Sequence, residues 1–392
     1  MKTMQYFKNI YHLIRALLSN IWYGFPNGKL RVIGVTGTDG KTTTTHLIYH
    51  ILTSCGKKAS MISTIFAKIG EKEYDTGFHV TTPDASLIPR YLRMAVDQGQ
   101  DYFVLETTSH RIAQNQLAGT QFDIAALTNI THEHLDYHKT IEEYAATKLK
   151  LIRMARIGIV NVDDETTRAH IAKRATHNVI KTYGLQNKAD YSVDFRKEVP
   201  DLADFNAYNY LAAYAVCREL GLSDKDIRSS FLTFKLPAGR IDIVYKKDFM
   251  VIVDFAHTPN GITRILETVK KQYVHKKGRL IHVFGSAGLR DHTKRFAMGE
   301  ASATLADISY ITEEDYRTED PQEIANEIGA GFGKKHYFVE LNREKAIRSA
   351  IQTAKKDDVV IITGKGHEKS LCRGKTEYPW DEIQAVKNIL KI

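Results

Sequence analysis

Gly34-Val35-Thr36-Gly37-Thr38-Asp39-Gly40-Lys41-Thr42-Thr43 follows an apolar run over residues 30–35 and opens a stretch that reads as a helix. A strand that delivers a glycine-rich turn onto a helix start aims backbone N–H groups and the positive end of the helix dipole at one point, which suits a polyphosphate. Lys41 then reaches the terminal phosphates, and Thr42 offers its hydroxyl to Mg²⁺. The ligand expected here is ATP, held by Gly37, Thr38, Asp39, Gly40, Lys41, Thr42 and Thr43. The strict phosphate-loop pattern has a glycine where this chain has Val35, so the tight turn has to rest on Gly37 and Gly40.

From residue 30 onward strand and helix patterns alternate. Runs at residues 30–35, 59–65, 101–106, 122–128 and 157–162 read as strands, and the stretches 42–54 and 85–98 read as helices. That order predicts a parallel α/β sheet covered on both faces, a P-loop ATPase domain over residues 29–237. A helical region at 206–220 precedes Leu236-Pro237-Ala238-Gly239-Arg240, whose proline and glycine mark a boundary. A second alternation follows, with strands at 250–254, 279–284, 308–311, 337–340 and 359–363. It predicts a smaller Rossmann-like α/β domain over residues 238–392.

The 392 residues are 43% hydrophobic and 26% charged, which excludes disordered and fibrous classes. The formal charge is +9, yet no dense Lys/Arg block marks a nucleic-acid surface, and phosphorylated small ligands account for the excess. Cys55, Cys217 and Cys372 are too scattered for a disulfide framework or a CxxC zinc site, which makes a reducing cytoplasm the expected location.

The segment 1–28 stands apart. Ile10, Leu13, Ile14, Leu17, Leu18, Ile21 and Trp22 recur at three- and four-residue steps, with His12, Arg15 and Asn20 off the stripe, so residues 5–23 are expected to form an amphipathic helix. Arg15 and the short apolar run argue against a transmembrane span, and no small-residue cleavage site follows. A helix docked on the next domain is the simpler expectation; peripheral contact with a membrane surface is the other.

Open parallel sheets place ligands at the carboxyl ends of their strands. The strand expected at 101–106 leads into Glu106-Thr107-Thr108-Ser109-His110, a carboxylate where a phosphate-loop enzyme needs a second Mg²⁺ ligand. Without the phosphate loop upstream, Glu106 would read as a solvated strand end. The next strand leads into Asn129-Ile130-Thr131-His132-Glu133-His134-Leu135-Asp136-Tyr137-His138. Its histidines and acids lack the His-Glu-x-x-His spacing of a zinc site, and a Mg²⁺ role beside the triphosphate fits the context better.

These strings resemble the ATP-dependent Mur ligases of peptidoglycan synthesis. So do Thr81-Thr82-Pro83-Asp84, Asn206 to Asn209, Gly239-Arg240, Asp254-Phe255-Ala256-His257-Thr258-Pro259 and Gly364-Lys365-Gly366-His367-Glu368, which run in family order. The Thr-Thr-Pro-Asp, Asp-x-Ala-His-Thr-Pro and Gly-Lys-Gly-His-Glu strings look most like the branch that adds the third amino acid of the stem peptide. The resemblance implies that ATP phosphorylates a muropeptide carboxylate and that an incoming amine attacks the acyl phosphate. It places one Mg²⁺ ion on Thr42 and Glu106 and a second on His134, with a carbamylated Lys148 orienting the second. Asn209, Arg240 and Asp254 would complete the contacts to adenine, phosphate and ribose, Arg240 arriving from the interdomain hinge. Lys41, Lys148, His134 and Arg240 form the implied catalytic set, and His257 shapes its loop. Ser63, Thr64, Thr81 and Thr82 would face the peptidyl acceptor, and Asp315, Arg317, Gly364 and Glu368 the amino-acid donor.

Two departures from the family pattern carry expectations of their own. Diaminopimelate-adding relatives read Asp-Asn-Pro-Arg where this chain reads Glu314-Asp315-Tyr316-Arg317. The added charge of Asp315 favours a donor with a cationic distal end, such as lysine or ornithine, while Arg317 with Gly364 and Glu368 keeps diaminopimelate open. Family synthetases also begin with a domain that grips uridine diphosphate, and the residues before the first strand are too few for one. Uridine is then held by other surfaces or partners, or the acceptor is lipid-linked or otherwise not UDP-linked. Folylpolyglutamate synthetase shares the two-domain core, but the His-Leu-Asp-Tyr-His and Gly-Lys-Gly-His-Glu strings favour the muropeptide branch. A non-catalytic ATP-binding regulator is the reading from another class, and the joint retention of Lys41, Thr42, Glu106, His134 and Lys148 argues against it.

Overall fold

A computed structural model describes residues 2–75, 82–131, 133, 135–172, 178–275 and 277–392. The chain divides into two units, Met1–Thr131 with Tyr137–Lys235 and His132–Asp136 with Leu236–Ile392. In the first, β1 (Arg31–Thr36), β2 (Ala59–Ile62), β3 (Ala67–Ile69), β4 (Lys72–Tyr74), β5 (Tyr102–Glu106), β6 (Phe122–Leu127), β7 (Ala155–Asn161) and β8 (Val179–Tyr183) form one sheet. Its order is β4-β3-β2-β5-β1-β6-β7-β8. The pairs from β2 through β8 run parallel, and β3 and β4 add an antiparallel edge.

Both faces of this sheet are covered, which is why its central strands are apolar throughout rather than alternating with polar residues. Ile33 and Val35 of β1, Val104 of β5 and Ile124 and Ala126 of β6 bury on one face, with Leu47, Ile48 and Ile51 from the Lys41–Ser54 helix and Leu211 and Ala215 from the Asp204–Glu219 helix. Val32, Phe103, Leu105, Ala125 and Leu127 bury on the other, against the Leu87–Asp97 and Ile141–Met154 helices. β1 lies between β5 and β6, so the loop leaving it emerges at the centre of the sheet.

The second unit holds β9 (Asp242–Lys246), β10 (Met250–Val253), β11 (Leu280–Phe284), β12 (Ile308–Ile311), β13 (Phe338–Val339) and β14 (Val359–Ile362) in the order β13-β12-β11-β14-β10-β9. Only the edge strand β9 runs antiparallel, and β15 (Ser370–Arg373) pairs β16 (Thr376–Pro379) as a hairpin. The α/β class and the parallel sheets expected from the sequence are present. The strand expected at 59–65 stops at Ile62, because the Ser63 hydroxyl accepts from the N–H groups of Ile65 and Phe66 and turns the chain into β3. The edge additions β3, β4, β8 and β9 and the β15–β16 hairpin were not expected.

The N-terminal helix Lys2–Trp22 forms, but it docks mainly through the face opposite to its apolar stripe, of which only Ile10 and Leu13 are half-buried. Ala16, Ser19 and Asn20 are buried. Ser19 Oγ donates to Ser86 O at 3.0 Å, Asn20 Nδ2 to Ala118 O at 3.1 Å, and Arg15 pairs with Asp84 at 2.9 Å. Small and polar groups thus make the contact, while Phe7, Tyr11, Ile14, Leu17, Leu18, Ile21 and Trp22 remain exposed. Among the described residues no helix is long and apolar enough to cross a membrane.

Candidate active site

The loop after β1 is shaped by its two glycines. Gly37 has φ +151°, and a Cβ there would lie 1.7 Å from Thr128 Oγ1. Gly40, at φ +83°, precedes the Lys41–Ser54 helix, and a Cβ there would lie 2.2 Å from Asn209 Oδ1. Neither position tolerates a side chain, and Val35 sits buried in β1, outside the turn. Residues just beyond β6 clamp the loop: Asn129 Oδ1 accepts from Asp39 N at 2.9 Å, and Thr128 Oγ1 donates to Asp39 O at 2.6 Å. Thr38 N donates to Asn129 O at 2.9 Å. Thr128 ends the run 122–128 and Asn129 opens the motif that follows it; the pairing of that strand with β1 brings both to the loop. Asn209 Nδ2 donates to Asn206 Oδ1 at 2.9 Å, which holds both side chains beside Gly40.

Charged groups converge on this loop. Glu106, at the end of β5, is fully buried, and its Oε1 accepts from the hydroxyls of Thr42 at 3.0 Å and Thr64 at 2.9 Å. Its Oε2 accepts from Thr64 N at 2.9 Å. Lys41 Nζ donates to Thr38 O at 2.7 Å, and the buried Lys148 Nζ to Gly37 O at 2.7 Å, with its ammonium 4.4 Å from the centre of the Tyr144 ring. The structure therefore brings Lys41, Thr42, Glu106 and Lys148 around one turn. Hydroxyl and carboxylate oxygens make a hard donor set that fits Mg²⁺. Among the described residues, no group of three or more His, Cys, Asp and Glu side chains could hold a metal ion. His134 and Thr81 lie outside the described residues.

Ser63 Oγ is 3.0 Å from His46 Nε2 and donates to Phe66 O at 3.1 Å. Thr82 is buried, donates to Glu106 O at 3.0 Å and accepts from Thr108 N at 3.1 Å. Its hydroxyl joins the 82–84 turn to β5.

In the second unit, Asp254 follows β10 and takes the N–H of Ile241 on Oδ2 at 2.9 Å and that of Ala256 on Oδ1 at 2.8 Å. Burial pushes its carboxyl up, opposed by Arg240 and by those two N–H groups. Arg240 lies over the Phe255 ring, 4.8 Å from its centre, and donates to Gly239 O at 2.9 Å. His257 Nδ1 lies 2.9 Å from Phe255 O, a contact that shapes the loop.

Asp315 does not present the spare charge expected of it. It is 2% exposed, and its Oδ1 accepts from Lys365 Nζ at 2.8 Å and from Cys372 N at 2.9 Å. Lys365 also pairs with Glu368 at 2.5 Å. Burial works against the Lys365 charge, but Glu368 and Asp315 outweigh it and hold the ammonium above its ordinary value. Within its Gly-Lys-Gly-His-Glu string Lys365 shows no role in the sequence, because its partner lies fifty residues away. Arg317, at φ +54°, donates to Gly288 O at 2.6 Å. Beside Gly364, whose φ is +110°, Glu314 is 6% exposed, and its buried Oε2 has no hydrogen-bond partner.

A phosphate loop with a strand-end carboxylate and a buried lysine defines a nucleotide-dependent enzyme, and comparison with known proteins narrows the class. The family model described as Mur ligase middle domain matches residues 35–217, and that described as Mur ligase, glutamate ligase domain matches residues 239–366. The UDP-N-acetylmuramoyl-L-alanyl-D-glutamate–2,6-diaminopimelate ligase of Aquifex aeolicus is 38% identical over 389 residues, 94% of this chain and 79% of that protein. Its Clostridium botulinum counterpart is 35% identical over 399 residues, 96% of this chain and 81% of that protein. A solved structure of a ligase of the same description superposes with TM-score 0.60 at 29% identity, covering 92% of this chain and 78% of that one. A Mycobacterium tuberculosis folylpolyglutamate synthase complexed with ADP reaches TM-score 0.71 at 17% identity, covering 90% and 91%, a likeness of fold alone. The chain belongs to the Mur ligase family. It is an ATP-dependent acid–amino-acid ligase by that membership.

Proposed function

We propose that this ligase activates a muropeptide carboxylate as an acyl phosphate and joins to it the third amino acid of the stem peptide, in the cytoplasm. The observation that carries the reading is the convergence of Lys41, Thr42, Glu106 and Lys148 on the Gly37–Gly40 turn. A carboxylate is a poor acyl donor, and two anions must meet in its phosphorylation. Lys41 and Arg240 offset that repulsion on the phosphates, and Thr42 and Glu106 would hold the Mg²⁺. When bound, the metal neutralises charge on the transferring phosphoryl group. Lys148, as a carbamate, and His134 are the residues assigned to a second ion. Asn209 and Asp254 serve the nucleoside, and Ser63, Thr64, Thr81 and Thr82 line the acceptor end, those with engaged hydroxyls acting by shaping it.

For the donor, the pairing of Asp315 with Lys365 removes the charge argument for lysine or ornithine. Arg317, which donates to Gly288 O and lies 3.9 Å from the Asp315 carboxylate, would take a carboxylate of the donor through its remaining N–H groups. Glu314 would meet one ammonium group of the donor, with Glu368, already paired with Lys365, beside it and Gly364 giving close backbone approach. These assignments and the named activities of the diaminopimelate ligases support a diaminopimelate-like donor. Phosphate release from ATP with UDP-linked muramoyl dipeptide, compared across diaminopimelate, lysine and ornithine with product masses, tests the reading. Diaminopimelate-dependent release is expected. No release with any donor would mean a binding protein, and preference for lysine would reject the donor assignment.

A further inference from the structure

The N-terminal helix leaves a continuous apolar face uncovered. Phe7, Tyr11, Ile14, Leu18, Ile21 and Trp22 are 65, 56, 50, 60, 60 and 84% exposed. Their spacing of three and four residues places them on one side over about 22 Å of helix. Phe25, 51% exposed, follows directly. A stripe of this size costs free energy in water unless something covers it. The opposite face is already spent on the first unit through Arg15, Ala16, Ser19 and Asn20, so rolling the stripe inward would break those contacts.

Charge identifies the cover. Residues 1–38 contain Lys2, Lys8, Arg15, Lys29 and Arg31 and no Asp or Glu. Arg15 is paired with Asp84, while Lys8, Lys29 and Arg31 are exposed. A second copy of the same face would set basic groups against basic groups about a twofold axis. An anionic lipid surface complements both the charge and the stripe, and Trp and Tyr rings in an exposed apolar face suit the headgroup boundary. We propose that the Lys2–Trp22 helix lies in the interface of an anionic membrane with Tyr11, Ile14, Leu18 and Trp22 inserted, carrying the ligase as a peripheral protein. This rests on the helix alone and stands or falls apart from the ligase reading.

The test uses the full chain with phosphatidylcholine vesicles made with and without phosphatidylglycerol. Co-sedimentation is expected with the anionic vesicles and is expected to weaken as salt is raised. Ile14→Asp with Leu18→Asp changes only exposed positions; it should keep the thermal melt and lower the vesicle partition coefficient by roughly tenfold or more. A Trp380→Phe chain keeps Trp22 as its one tryptophan, whose emission should shift to the blue and be quenched by brominated lipid. No binding to anionic vesicles, binding untouched by the double substitution, or an unshifted Trp22 in the bound protein would each overturn the proposal. A concentration-dependent dimer that the same substitution dissociates, with no vesicle binding, would assign the stripe to a second copy instead.

Discussion

The ends of the parallel strands in the two units hold charge in opposite ways. At the phosphate loop, Glu106 is satisfied by two hydroxyls and a backbone N–H, and Lys41 by a backbone carbonyl. At the strand ends of the second unit, charges are paired with charges: Lys365 with Asp315 and Glu368, Arg373 with Glu313, and the fully buried Arg343 with Glu382. Neutral partners fix a side chain's position without cancelling its charge, so Glu106 and Lys41 keep their full field for a cation and a polyphosphate. Ion pairs cancel most of each field and fix geometry. Among the described acids at these strand ends, Asp254, held by two backbone N–H groups, and Glu314, whose Oε2 has no hydrogen-bond partner, depart from the pairing rule.

Substitution at the loop should have the largest effect. Glu106→Gln keeps the shape but removes the charge, and kcat should fall by about 10²–10³ with the fold intact, read by phosphate release and circular dichroism. Lys148→Ala should lose activity that bicarbonate does not restore; wild-type turnover in that variant would reject the carbamate assignment. In the second unit the effect should appear in stability instead. Arg343→Met leaves the buried Glu382 without its cation, held only by the Trp380 indole N–H, and urea unfolding should report a loss of about 3–5 kcal/mol. A stability loss at Glu106 and unchanged stability at Arg343 would invert the comparison.

Glu314→Gln tests the second of these departures. It removes a buried carboxylate whose Oε2 lacks a hydrogen-bond partner, so the fold should hold or gain slightly. If the carboxylate receives a donor ammonium, the donor KM should rise about tenfold or more with kcat changed less. An unchanged donor KM would return Glu314 to the structural group.

Much of this was legible because it is local. Gly37, Gly40 and Lys41 lie within five residues, and apolar periodicity alone located β1, β5, β6, β10 and β14 to within a residue or two. What stayed hidden depends on distant partners or on direction. The charge of Asp315 looked available until Lys365, folded back from residue 365, took it up. The helical stripe was plain, but periodicity states that two faces differ and not which one docks. Here Asn20 and Ser19 docked through hydrogen bonds to carbonyls that no local pattern marks.

The smallest effect separates the units by pH. His282 on β11 is fully buried between Ser302 Oγ at 2.8 Å and Thr363 Oγ1 at 3.0 Å, and burial first, then Arg343, pulls its pKa down to about 3. The unfolded chain takes up this proton near pH 6.5 and the folded chain only near 3, so stability from this group is complete above 6.5 and is lost as pH falls between those values. The slope approaches about 1.4 kcal/mol per pH unit well inside the window. His138 in the first unit, also pulled to about 3 by burial and then by His110, Lys148 and Lys150, adds a slope of the same sign. The difference between wild type and His282→Asn therefore isolates the second unit. With Trp22→Phe in both chains, urea unfolding followed by Trp380 emission at several pH values from 7 to 5 should give a flatter pH dependence in the His282→Asn chain, about 1 kcal/mol less across the lowest unit. Parallel curves would mean that the folded imidazole takes up its proton as readily as the unfolded one. The second unit's pairing rule would then have to extend to a histidine that now sits among hydroxyls.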